Sequence, residues 1–145
     1  MLVVLWETSL QNKKALAMRG FIFRCNDKTE SEVLEKSLLG EEMNYFGLIN
    51  PISSDDVLFL YSTTKYTITG PLKPNSELKL NIEKSAWNGL FPTQIRYIKL
   101  KNTKTIEFRK IEKFIKIYLH DVYPYPVIEE KNLAKILNEF NNCAN

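Results

Sequence analysis

Residues 56–97, DVLFLYSTTKYTITGPLKPNSELKLNIEKSAWNGLFPTQIRY, constrain the fold of this 145-residue chain more than any other stretch. They open with the apolar run Val57, Leu58, Phe59, Leu60, pass a polar turn, and resume as Tyr66, Thr67, Ile68, Thr69 before Gly70 and Pro71. A strand buried on both faces is apolar throughout, whereas a strand with one wet face alternates. Two antiparallel strands are therefore predicted, the first central and the second peripheral. A polar loop of about twenty residues follows Pro71, a length that compact domains rarely keep unless the loop has a function. Near its end stands Trp87, beside the turn residues Asn88 and Gly89, and the chain re-enters the sheet over residues 91–96. An indole on a loop hung from a rigid sheet is placed to stack on a ligand.

The flanking segments supply the rest of a core. Residues 2–6 read as a short strand, and after Gly20 the run Phe21, Ile22, Phe23 reads as another, ending at Arg24 and Cys25. Asn26 and Asp27 follow, and Asp27 with Glu30 three residues on resembles a helix start. Val33, Leu34, Ser37 and Leu38 recur at helical spacing up to Gly40, the expected stop. Two readings of Asn26 follow. It is a helix cap, or its amide, which both donates and accepts, faces the edge of a nucleobase. Tyr45 and Phe46 then adjoin, one expected in the core and the other outward. Residues 93–100 read as a strand with Ile95 and Tyr97 on one face, Asn102 and Thr103 as a turn, and residues 105–108 as a further strand. Residues 111–119 fit a helix or a strand. Leu133, Ile136, Leu137 and Phe140 fall at i, i+3, i+4 and i+7, which predicts a helix over 129–142.

The length suits one domain over 1–145 with a single core. The apolar start over residues 1–6 is too short for a membrane span and lacks a basic leader, so a soluble, intracellular and cytoplasmic protein without membrane contact is expected. Two cysteines and one histidine make neither a disulfide framework nor a zinc set. No phosphate-binding glycine loop and no deaminase motif is present, so neither catalysis nor a cofactor is expected. The adjacent carboxylates Glu41-Glu42 and Asp55-Asp56 read as solvated turns. Charge is unevenly spread. Residues 93–116 hold eight basic residues against two acidic ones, while residues 27–56 hold eight acidic ones against two lysines. Such asymmetry both attracts and orients a polyanion, or marks ordinary solvated faces.

Several segments in one order resemble a known pattern. These are GFIFRCNDKT at residues 20–29, LLG ending at Gly40, YFGL around Gly47, LFLYS at 58–62, GPL at 70–72, NIEKSAW at 81–87, FPTQIR at 91–96 and the terminal helix. Together, over residues 18–142, they resemble the plant development-and-cell-death (DCD) domain, which is similar to the YTH and EVE domains of the PUA-like superfamily. The resemblance implies a mixed α/β fold: a small curved β-barrel with flanking helices, one in the N-terminal half and one at the C-terminus, and a pocket at the barrel mouth. In YTH-like members that pocket takes an unstacked base, commonly N-methylated adenine, within an aromatic cage.

Carried onto this chain, the resemblance implies a pocket of Arg24, Cys25 and Asn26 with Trp87 as one wall. Tyr45 or Phe46 would stand where YTH domains have a second tryptophan. Flanking phosphates would lie along Arg96, Lys99, Lys101 and Arg109. The expected activity is non-catalytic reading of a flipped modified base. Prokaryotic relatives in modification-dependent restriction tilt the expected partner toward DNA over RNA, with the chain part of a larger protein or complex. The alternatives are an RNA reader and a protein-interaction module.

Overall fold

The structure, a computed structural model, describes residues 18–115 and 122–143. The strand expected over residues 2–6, together with Trp6, His120 and the end of the ambiguous 111–119 segment, lies outside the described residues. The described part of that segment is a 3-10 turn, Glu112–Phe114.

GFIFRC forms strand β1 (Gly20–Cys25) and VLFLYS forms β3 (Val57–Ser62), and the two pair in parallel from Gly20 opposite Val57 to Cys25 opposite Ser62. Parallel neighbours need a crossover. It is made of helix α1 (Glu30–Lys36), strand β2 (Leu38–Glu41) and the short helix α2 (Phe46–Ile49). Strands β4 (Thr67–Pro74), β5 (Lys79–Leu80), β6 (Thr93–Glu107) and β7 (Val127–Ile128) complete the sheet, and α3 (Glu130–Asn142) closes the chain. The strand order is β2-β6-β4-β3-β1-β7, with β5 added to β6. The result is mixed α/β, a curled half-barrel sheet with helices packed on it, as the resemblance implied.

The continuous apolar runs have a physical cause in two cores on opposite sides of the sheet. Phe21, Phe23, Leu58 and Leu60 point into the barrel with Leu72, Ile95 and Tyr97. Ile22, Phe59 and Tyr61 point the other way, into a second cluster capped by Leu133, Ile136 and Phe140 of α3. The phenyl rings of Phe59 and Phe140 stand 5.5 Å apart.

Four expectations are corrected. The first helix stops at Lys36, where Ser37 takes a left-handed conformation (φ 49°), and Gly40 lies inside β2 instead of ending a helix. Leu38 and Leu39 are both fully buried. A strand covered on both faces buries consecutive residues in this way, and Leu34, assigned to the helix's apolar face, is left exposed. β4 is interior, between β3 and β6, because alternation reports one wet face and not rank within a sheet. Residues 93–107 are one strand. Gly70 pairs with Lys104 but Leu72 with Lys99, so Asn102 and Thr103 belong to a bulge, which Thr103 ties down by donating to the carbonyl of Pro71. Finally, the loop after Pro71 is stitched to the sheet. β5 pairs with the start of β6. The buried amide of Gln94 donates to the carbonyls of Glu83 and Phe91 and accepts from the N–H of Glu83.

At Gly70 an added Cβ would stand 2.4 Å from Cδ1 of Phe59, in the middle of the second core. Gly70→Ala is expected to destabilise the fold by about 1–3 kcal/mol through overpacking, read as a lower urea midpoint at unchanged m-value.

Candidate functional site

The curled sheet brings β1, the strand next to one end, up against β2 at the other end, but their backbones do not pair. A side chain bridges the gap. The Glu41 carboxylate, at the end of β2, accepts from the Arg24 backbone N–H (3.0 Å), from Arg24 Nε (3.0 Å) and from Arg24 Nη2 (2.8 Å). Glu41 is 2% exposed, and a buried carboxylate persists where it is paired and multiply hydrogen-bonded. Hydrogen bonding to Glu41 raises the Arg24 pKa further, against the opposing effect of burial. The guanidinium carbon also lies 4.6 Å from the ring centroid of Tyr45. Glu41 is therefore no solvated turn. Asp56, 4% exposed, departs from that expectation too, accepting from the N–H groups of Arg19 and Ser53.

Because a side chain spans the seam where a strand could have lain, space remains beside it. A cavity of about 200 Å³ opens there, lined by Arg24, Cys25, Asn26, Thr29, Gly40, Glu41, Glu42, Thr63 and Phe91. It is smaller than the roughly 300–1,000 Å³ of sites for drug-sized ligands and suits one planar ring system. Its hydrogen-bonding inventory is mixed. Asn26 Oδ1 is occupied by the N–H groups of Lys28 (2.8 Å) and Thr29 (3.1 Å), leaving the amide N–H₂ without a partner among the described residues. The Cys25 carbonyl is held by Thr63 N–H and Oγ1. Burial pushes the Cys25 thiol pKa up to about 12, with Glu30 adding to the shift, so at neutral pH it is a protonated thiol and no nucleophile. Glu42 sits at the rim, more than half exposed and 3.8 Å from Arg24, with acceptor capacity to spare.

The structure brings Arg24, Cys25 and Asn26 together at the cavity. Trp87 it places differently from expectation: the indole faces inward, 5% exposed. Nε1 donates to the Thr29 carbonyl at 2.9 Å, and the Trp87 backbone N–H lies 3.0 Å and 3.1 Å from the two Glu32 carboxylate oxygens. The ring lies so close over Gly40 that a Cβ there would be 2.4 Å from Cζ3. Trp87 and Asn88 both adopt positive φ, 49° and 55°, and this turn carries the indole back under the sheet. Trp87 thus backs the cavity, and the aromatic lining it is Phe91, in edge contact with the indole at 5.8 Å. Tyr45 is buried and Phe46 half-buried against the barrel core, so neither is an outward wall.

The basic residues are dispersed. Arg96 is committed to Glu83 (3.0 Å) and the Lys36 carbonyl, and Arg109 to Glu107. Lys99 and Lys101 are exposed without an ion pair among the described residues. Six residues of strand separate Lys99 from Thr93, which is roughly 20 Å. Sequence reasoning missed Thr29, Gly40, Glu41, Glu42, Thr63 and Phe91 as site residues. Nothing local marks most of them, because Glu41 and Glu42 owe their places to Arg24, Thr29 and Gly40 to Trp87, and Thr63 to Cys25. Among the described residues no group of three or more His, Cys, Asp or Glu could hold a metal ion.

A family model for the development and cell death domain matches residues 19–137. The chain belongs to that family. The DCD domain-containing protein NRP-B of Glycine max is 32% identical over 95 residues, 61% of this chain and 29% of that protein. The B2 protein of Daucus carota is 30% identical over 95 residues, 61% of this chain and 46% of that protein. The chain therefore spans under half the length of these relatives. Among solved structures it is similar to the YTH domain of Zygosaccharomyces rouxii MRB1 in complex with N6-methyladenosine RNA. That match has 12% identity and a TM-score of 0.60, and covers 86% of this chain and 87% of that one. The Pho92 YTH domain in complex with m6A is alike too (14% identity, TM-score 0.62, 88% and 85% covered). At such identities the likeness is one of fold, and this DCD chain has the YTH-like fold expected of it.

Glu41→Gln removes the charge that holds Arg24. With Arg24 partly exposed, the expected loss is about 2 kcal/mol, measured by urea unfolding. The double variant Arg24→Leu/Glu41→Leu should recover part of it. Cys25 is expected to resist iodoacetamide at pH 8 while the folded protein persists and to react once it is unfolded in urea, read by mass spectrometry of the peptide containing it.

Proposed function

We propose that this chain is a non-catalytic reader of single-stranded nucleic acid that accepts one unstacked base in the cavity between β1 and β2. One observation carries the reading: a ring-sized cavity with a free amide donor (Asn26), a half-exposed carboxylate acceptor only loosely paired with Arg24 (Glu42) and an aromatic wall (Phe91), in a fold shared with domains solved on methylated RNA. A nucleobase edge offers acceptors and donors side by side, which is what an amide N–H₂ and a carboxylate match. Base-on-aromatic stacking supplies about 1–3 kcal/mol, comparable with the few kcal/mol lost on unstacking. The carboxylate favours bases with an exocyclic amine. An N-methylated amine retains one N–H for Glu42 and adds an apolar group for Phe91. RNA stands ahead of DNA because the structural neighbours carry RNA.

The test is a set of titrations with single-stranded RNA containing adenine, N6-methyladenine or N6,N6-dimethyladenine at one position. The monomethylated RNA is expected to bind most tightly, and the dimethylated RNA, with no N–H left, at least tenfold more weakly. Phe91→Ala should weaken the monomethylated complex about tenfold and Glu42→Gln should narrow the mono-to-dimethyl gap. Equal binding of all three RNAs by a folded protein, unchanged in Phe91→Ala, would overturn the reading. A complex that instead survives nuclease and high salt would favour the protein-interaction alternative.

A further inference from the structure

The cavity is not the only place where aromatic groups reach the surface. Phe108, fully buried just beyond β6, is ringed by three tyrosines. Tyr61 lies 4.2 Å away between centroids, Tyr66 5.5 Å away at 72°, and Tyr123 6.4 Å away at 90°. Tyr61 is buried, but Tyr66 is 44% and Tyr123 37% exposed. Both exposed phenols are pinned by one carboxylate: Tyr66 donates to Glu112 Oε1 at 2.8 Å, and Tyr123 donates to Glu112 Oε2. Tyr66 further adopts a left-handed backbone (φ 56°), uncommon for a bulky residue and kept only where the surroundings hold it.

Two tyrosines whose hydroxyl protons are already donated to Glu112 offer a ligand mainly ring surface. Because their orientation is fixed in advance, little rotamer freedom remains to be lost when something stacks on them. The connection that carries Phe108 and Glu112 also carries Lys110 and Lys113, cations of the sign a phosphate chain requires, while Arg109 is paired with Glu107. The location matters as well. Cys25 pairs with Ser62, Ser62 with Thr67 and Thr67 with Glu107, so the strand ends at the cavity and at Phe108 share one rim of the sheet. Three strand spacings, about 15 Å, separate them. Thr63, which lines the cavity, and Tyr66 belong to the same turn between β3 and β4.

We infer that Tyr66 and Tyr123, clamped by Glu112, form a second stacking platform for the nucleotides neighbouring the one held in the cavity. This inference rests on the reader function proposed above and adds to it a sequence-tolerant contact that lengthens the bound strand. Base-on-aromatic stacking is indifferent to base identity, so the platform contributes affinity and not methyl selectivity.

The experiment uses the full chain and single-stranded RNA 9-mers with adenine or N6-methyladenine at the centre. Tyr66→Leu is expected to weaken both RNAs about tenfold at an unchanged ratio, whereas Tyr66→Phe, which keeps the ring but loses its hydrogen bond to Glu112, should weaken both by clearly less than Tyr66→Leu does. Tyr123→Leu carries the same expectation should Tyr66→Leu fail to fold. In the wild type, 5-iodouridine beside the central base should cross-link to Tyr66 or Tyr123, mapped by mass spectrometry. If the folded tyrosine variants bind both RNAs like wild type while Phe91→Ala still weakens them, the platform is overturned and the cavity reading stands. A wild-type chain that binds neither RNA overturns both.

Discussion

A single carboxylate decides how this sheet closes. Glu41 accepts three hydrogen bonds from Arg24, one of them from the backbone N–H that a neighbouring strand would otherwise take. β7 covers β1 only at Gly20 and Phe21, so the far end of β1 would be an open edge without this partner. A buried ion pair is seldom a net gain over a well-packed apolar contact. Its role here is geometric, since it joins two strand ends while holding them apart. The cavity is the space that separation leaves.

Everything around the seam serves to hold it. Residues 75–92 would be a long free loop, yet the buried Gln94 amide, the pairing of β5 with β6 and the hydrogen bonds of Trp87 to Thr29 and Glu32 tie it down at several points. Trp87 fills the volume that Gly40 leaves by lacking a side chain. No buried side-chain nitrogen or oxygen among the described residues lacks a hydrogen-bond partner. Complete satisfaction of that kind gives a polar seam one arrangement instead of several.

What was legible in the sequence was whatever periodicity encodes. Phe21 to Phe23 and Val57 to Leu60 read as buried strands because cores lie on both sides of them, and the α3 stripe of Leu133, Ile136 and Phe140 reads at once because one face of a helix is covered. What misled were residues whose local chemistry argues one way and whose distant partner argues another. Leu38 continues the helical spacing of Val33 and Leu34, but its burial against the barrel belongs to a strand. Asn102 and Thr103 have turn chemistry, which the chain uses for a bulge within an unbroken strand. Glu41 looks like half of a solvated acidic pair, and only Arg24, seventeen positions earlier, makes it a seam. Trp87 reads as a projecting residue because it stands on a long loop hung from the sheet, whereas two consecutive left-handed residues turn it back inside.

That inward indole has a topological consequence. With Trp87 and the barrel core behind Gly40, the recess is closed on the side that faces the interior of the barrel. A polymer cannot be threaded through the barrel by that route. Whatever enters must do so sideways, as a pendant unit swung out from its chain or as a free end, and must leave by the way it came.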